Sequence, residues 1–207
     1  MDNLDDRGIS AHLANRLRSL RLQRGLTLDA LARHTGVSRS MLSLVERGES
    51  SPTAAVLDRR AAGLGITLAS LFAEDGRKEA SPLSRHADQR IWRDPESGYL
   101  RRSLSAPAYP SPISLAEVLL PAGARVAYDS GAGPRGISQQ VWMIDGSADI
   151  TIGETIHHLS TGDCLTMAID QPIVFQNPGD CAARYLVALA PDPSGPNRAP
   201  SYPESSG

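Results

Sequence analysis

Apolar residues recur at helical spacing through the first third of the chain and then give way to short alternating runs. Leu13, Leu17 and Leu20 fall on one face of a helix, and Gly25 marks its end. Thr27 is placed to cap a second helix whose buried face is Leu28, Leu31 and Ala32, with Gly36 beyond it. Ser38 caps a third helix that runs to Gly48. Ser51 and Pro52 predict the opening of a fourth, with proline at its first helical position. Its core stripe is Val56, Leu57, Ala61 and Leu64, and Gly65 closes it, before Thr67 starts a last short helix, LASLF. Farther on come ISLAEVLL, RVAYD, QVWMI, ADITI, TIHHL, CLTM, IVFQN and RYLVAL, separated by turn residues such as PAGA, IDGS, STGD and NPGD. Short runs of this kind predict an all-β sandwich or barrel.

The expected organisation is an N-terminal tail over 1–9, a helical domain over 10–74 and a polar linker over 75–85. A barrel over 86–190 follows, then a Pro/Ser-rich tail over 191–207 that is expected to be disordered.

Composition changes this picture in one respect. Of the 207 residues 41% are hydrophobic, enough for packed cores, and the net charge of -2 argues against a polyanionic partner. The average conceals a split. Residues 9–72 hold nine Arg against four acids, whereas 73–207 hold eleven basic and sixteen acidic residues. A basic module is joined to an acidic one, so one part is suited to a polyanion and the other is not. The two cysteines, Cys164 and Cys181, have no C-x-x-C spacing, which excludes a disulfide framework or a zinc site of that type. They are expected to be small core or near-surface residues. The start, MDNLDDRG, is not a signal peptide, and no apolar run approaches the ~18 residues of a membrane span. The expectation is a cytoplasmic protein with no membrane association.

The basic module contains VSRSMLSLVERGESSP, residues 37–52, a helix carrying Ser38, Arg39, Ser40, Ser43 and Arg47 where its core stripe is not. Ser lowers helix propensity, so a plain surface helix gives no reason for it. Two short helices joined by a turn at Gly36 have the layout of a helix-turn-helix, whose second helix enters the DNA major groove. There, short hydroxyl side chains allow close approach to phosphates, and Arg matches guanine O6 and N7.

LTLDALA, GVSRS, ERGESSP and LGITLASLF together resemble the five-helix, lambda-repressor-like DNA-binding domain of the Xre/Cro/phage-repressor family, over about 10–74. The resemblance implies base contacts from Arg39, Ser40, Ser43 and Leu44, and phosphate contacts near Thr27, Ser38, Arg47 and Ser51. It implies an ion pair between Arg21 and Glu46 that fixes the angle of two helices. Three residues depart from the pattern. Leu44 replaces a polar reader and meets thymine methyls or packs inward, Arg60 replaces an apolar core residue, and Gly63 replaces Ala, which would weaken the fourth helix.

PAGARVAYD, QQVWMIDGSADITIG and STGDCLTMAIDQPIVFQNPG resemble the cupin barrel family. Metal-binding cupins use three His and one Glu. The carboxylate position, seven residues before Gly146, is Gln139, and the last His position, four before Asn177, is Ile173. No His stands at 132–135, where the paired histidines belong, and counting forward from Gly123 reaches only Asp129 and Gly131. Adjacent His157 and His158 face opposite sides of a strand and cannot chelate one ion together. The expectation is therefore a barrel without metal or other cofactor, and no enzyme. Gln139, Met143, Ile173 and Phe175 are expected to line a pocket for a small organic effector, with a purely structural, dimerising barrel as the equal alternative.

The function implied is sequence-specific transcriptional regulation by a homodimer on a double-stranded DNA operator. A cupin enzyme with an accessory DNA-binding domain and an antitoxin-like protein-binding regulator are the alternatives.

Overall fold

The computed structural model describes residues 3–72, 81–129 and 136–192. Residues 193–207 of the expected tail over 191–207, most of the expected linker and positions 130–135 lie outside the described residues, while Pro191 ends a strand.

Five helices come first: α1 (Asn3–Gln23), α2 (Leu28–Thr35), α3 (Arg39–Glu46), α4 (Ala54–Gly63) and α5 (Leu68–Leu71). α1 begins at Asn3, within the stretch expected to be a tail. The remaining starts follow hydroxyl caps. Thr27, Ser38, Thr53 and Thr67 each accept a hydrogen bond from the backbone N–H three residues on. Pro52 does not open α4, as the sequence suggested. Thr53 caps it, and buried Pro52 lies one residue outside. Leu13, Leu17, Leu31, Leu42, Leu57 and Leu64 meet in the core, while Leu28, Ala32 and Val56 are partly buried at its margin.

Gly63 has a packing reason. A Cβ there would lie 2.4 Å from Cγ2 of Thr35, whose hydroxyl is tied to the Leu31 carbonyl at 2.8 Å. The expected weakening of α4 is corrected on that ground: Gly63 is the last helical residue, and it is the close approach of α2 that requires it.

Ten strands follow, β1 (Ile91–Arg93), β2 (Leu100–Ser103), β3 (Ser114–Leu120), β4 (Arg125–Tyr128), β5 (Ile137–Asp145), β6 (Ser147–Ile152), β7 (Thr155–Ser160), β8 (Cys164–Ala168), β9 (Ile173–Gln176) and β10 (Ala183–Pro191). All pairings are antiparallel, in the orders β1-β2-β3-β10-β5-β8 and β4-β9-β6-β7. β3 to β10 form a double-sheet jelly roll, the architecture of cupins. β1 and β2, which the hydropathy pattern did not reveal, extend one sheet beyond it. Alternation places Val118, Val141, Met143, Tyr185 and Val187 inside and Leu115, Leu119 and Trp142 outside. Gly146 turns β5 into β6 at φ 76, where a Cβ would meet the backbone of residues 182–183 at 3.1 Å.

The two domains pack together. Phe72, after α5, lies 5.8 Å from Trp92 of β1, ring to ring, and Trp92 lies 6.0 Å from Tyr99. The Asp94 carboxylate accepts from the Ala54 N–H at 2.9 Å, so a residue of the β domain helps to cap α4. Among the described residues no helix is long and apolar enough to cross a membrane.

Candidate functional site

α3 buries Leu42, Val45 and Glu46 and turns Arg39 and Ser40 outward. Thr27, Ser38, Arg39, Ser40, Arg47 and Ser51 are exposed, and Ser43 and Leu44 are partly buried. The capping hydroxyls of Thr27 and Ser38 accept from backbone N–H groups at 3.1 and 3.3 Å. A hydroxyl that accepts in this way still has its proton to donate, so both caps can also serve a phosphate oxygen.

The arginines are held, not loose. Arg39 pairs with Asp29 of α2 at 3.2 Å, with both side chains more than 60% exposed. Arg47 forms a fork on Glu49 at 2.7 and 2.8 Å and also donates to the Ser43 hydroxyl. Both pairs lie in solvent, where ion pairs contribute little. A phosphate or base edge can therefore displace Asp29 and Glu49 at small cost. A cleft beside Arg47 and Ser51 is completed by Ser10 and Asn15 of α1, polar residues that the sequence reading passed over.

Behind this face lies a buried charge cluster. Arg21 donates to both Glu46 oxygens, at 2.9 and 2.7 Å, as the family resemblance implied. Arg60 was not foreseen there. It is fully buried and donates to Glu46 at 3.0 Å, so one carboxylate at the end of α3 holds α1 and α4 together. Burial pulls the Arg60 guanidinium down to about 10 against the attraction of Glu46.

The jelly roll holds a cavity of about 70 Å³ between its sheets and the helical domain. Gln139, Ile173 and Phe175 line it as expected. Met143 does not; it is fully buried in the core elsewhere. Tyr99, Arg101, Tyr128 and Tyr185 also line it, and burial keeps the Tyr128 and Tyr185 hydroxyls neutral, well above the ordinary tyrosine value. The roof is helical, with Asp58 and Ala62 of α4 and Thr67, Leu68 and Ala69 around α5. Burial raises the Asp58 carboxyl to about 6, although the Asp129 backbone N–H bonds to it.

The cavity does not suit the metal that cupins hold. Among the described residues its walls contain no His, Cys or Glu, and an amide and an alkyl side chain occupy the two ligand positions at Gln139 and Ile173. Elsewhere, His158 is exposed and bonds to Asp149 at 2.7 Å, with partly buried His157 on the other face. Among the described residues no three His, Cys, Asp or Glu side chains are grouped to hold an ion. Both cysteines are exposed rather than packed in the core.

A capped helix-turn-helix bundle joined to a jelly roll defines the architecture, an Xre/Cro-like helix-turn-helix domain followed by a cupin-like barrel. Residues 12–71 match the family described as a helix-turn-helix domain. The HTH-type transcriptional regulator SutR of Escherichia coli (strain K12) is 27% identical over 177 residues, 86% of this chain and 93% of that one. An HTH_3 family transcriptional regulator from Vibrio cholerae superposes with a TM-score of 0.70 at 28% identity, covering 89% of this chain and 98% of that one. The Cupin_2 domain of an XRE family transcriptional regulator from Enterobacter cloacae aligns with 44% of this chain and 95% of its own, at 16% identity and a TM-score of 0.40.

Proposed function

We propose that this protein regulates transcription by binding operator DNA through α3, as a homodimer, and that the barrel cavity takes a small organic effector. The observation that carries this is the outer face of α3. Arg39 and Ser40 project from its first turn beside the Ser38 cap, while Leu42 and Val45 anchor the opposite side. The likeness to SutR and to the Vibrio cholerae regulator over nearly the whole chain supports the regulatory role.

One helix-turn-helix reads one half-site, so a two-fold dimer on a pseudo-palindrome is the form that reads a full operator. The outer face of the six-stranded sheet, with Leu115, Leu119 and Trp142 each at least 36% exposed, is the surface offered for that contact.

Selection of bound sequences from random DNA by the full chain tests the reading directly. On the selected operator, Arg39→Ala should cost ~1–3 kcal/mol and relax one base position. Arg47→Ala should weaken binding on all sequences alike, because a phosphate contact carries no base information. If both variants bind like the parent, α3 is not the reading helix.

The rival reading, a metal-dependent cupin enzyme, is disfavoured by Gln139 and Ile173 at the ligand positions. Elemental analysis of protein purified without chelator should find no stoichiometric iron, manganese, nickel or zinc. About one such ion per chain would restore the enzyme reading.

A further inference from the structure

The cavity contains one charge that nothing answers. Arg101 lies on β2 opposite Val118, on the inward face of the sheet, and is 6% exposed. Its Nε has no hydrogen-bond partner, and no carboxylate of the described residues pairs with it. Its guanidinium carbon stands 5.7 Å from the Phe72 ring, a contact that orients a cation without neutralising it. The neighbouring tyrosines cannot serve as counter-ions, because Tyr128 and Tyr185 are neutral phenols. Nor does the other ionisable group of the lining, Asp58 on the roof, form an ion pair with Arg101. A buried guanidinium is unfavourable without a partner anion, and its flat fork matches a carboxylate.

Resting on the effector reading above, the geometry points to a small organic carboxylate as the ligand of this cavity, with its charge on Arg101 and its body shared between the barrel wall and the helical roof. Ile173, Phe175, Val187 and Leu189 supply apolar wall for the body. The size is bounded too. A cavity of about 70 Å³ compares with ~10–15 Å³ for one water on the same measure, room for a handful of heavy atoms. The Gln139 amide and the tyrosine hydroxyls offer neutral hydrogen bonds but no second charge. Because Ala62 and Ala69 close the cavity from the domain that carries α3, the ligand touches the DNA-binding domain directly. An occupant that fits one arrangement of the domains better than another shifts their balance by that difference in affinity.

The experiment uses the full chain and two matched sets of probes. One set is propanoate to hexanoate and benzoate; the other is the corresponding primary amides. At least one carboxylate should raise the melting midpoint by a few degrees in a saturable way, and its amide should not. Arg101→Met should weaken that carboxylate about tenfold or more, the loss of one charge-assisted pair. If the Met variant does not fold, Arg101→Lys carries the test, since an ammonium lacks the flat fork and should weaken the carboxylate measurably. Absence of any carboxylate shift, equal shifts from the amides, or full binding by the Arg101 variant overturns the proposal. The bound carboxylate should also change operator affinity at least about threefold. Carboxylate binding with unaltered operator affinity overturns the shared roof. Failure to bind any operator, with carboxylate binding intact, would count against the regulator reading and leave the ligand assignment standing.

Discussion

The two domains treat a buried cation in opposite ways. In the helical domain Arg21 and Arg60 both reach Glu46, and the three side chains tie α1, α3 and α4 together. In the barrel Arg101 is as deeply buried as Arg21 and faces the cavity without an ion pair to any described carboxylate, Asp58 of the lining included. A buried charge whose partner is built in works as a strut, because separating the pair leaves a bare ion in a poor solvent. A buried charge without a partner is unfavourable until an anion meets it. On the proposed reading, the difference separates a region held rigid by its own ion pairs from one whose cation is answered by a ligand.

The comparison breaks most visibly at the strut. Glu46→Ala leaves two arginines facing each other in the core and should cost ~3–5 kcal/mol, read as a large fall in the melting midpoint of the full chain. Arg21→Ala should cost less, because Arg60 remains on Glu46. An unchanged midpoint for both variants would mean that the cluster holds nothing together.

Gly63→Ala sharpens the same contrast by probing rigidity without charge. Helix propensity alone favours alanine by ~1 kcal/mol, but overpacking typically costs ~1–3 kcal/mol. The Cβ would lie 2.4 Å from Thr35 Cγ2, so overpacking should prevail and the variant should melt lower than the parent. Thr35→Ser removes that methyl and should restore part of the loss in the double variant, as measured by a double-mutant cycle.

The roof offers a test that depends on pH. Asp58 titrates at about 6 in the folded protein against 3.8 for a free aspartate, so the fold bears a penalty for its ionised form above that range. Asp58→Asn should therefore melt higher than the parent near neutral pH. The gap should narrow as pH falls below about 6 and vanish only below about pH 3, where the Asp58 carboxyl is neutral in both the folded and the unfolded state. A gap that is independent of pH would mean that Asp58 is solvated.

Most of the helical domain was legible because its signals are local. The starts of α2, α3 and α5 are hydroxyls that close on a backbone N–H three residues away, and each stripe has the helical period. The start of α4 was misplaced by two residues because Pro52 and Thr53 both carry helix-opening signals, and only the hydrogen bond to the Val56 N–H decides between them. Arg60 was legible only as an arginine at a core position; its partner, Glu46, lies on another helix and gives no local signal. In the barrel, Gln139, Ile173 and Phe175 could be placed by counting from turn glycines and Asn177. Asn177 is buried with its amide donating to the Leu120 and Cys181 carbonyls, which fixes that count in space. Arg101 could not be found this way. Its strand has four residues, three of them polar, too short and too charged for alternation to show.

The Asp94 carboxylate that receives the Ala54 N–H also accepts from the Ser97 N–H at 2.9 Å. It therefore belongs at once to a turn of one domain and to a helix end of the other. Evolution and protein engineers alike treat DNA-reading heads as interchangeable parts, cut and rejoined at the polar stretch that follows them. Here such a cut would free the opening of α4 from its second acceptor and expose Phe72 where Trp92 now covers it. A transplanted head would need an acidic residue and an aromatic ring supplied by its new host. The seam visible in the chain is therefore not the seam at which the molecule separates.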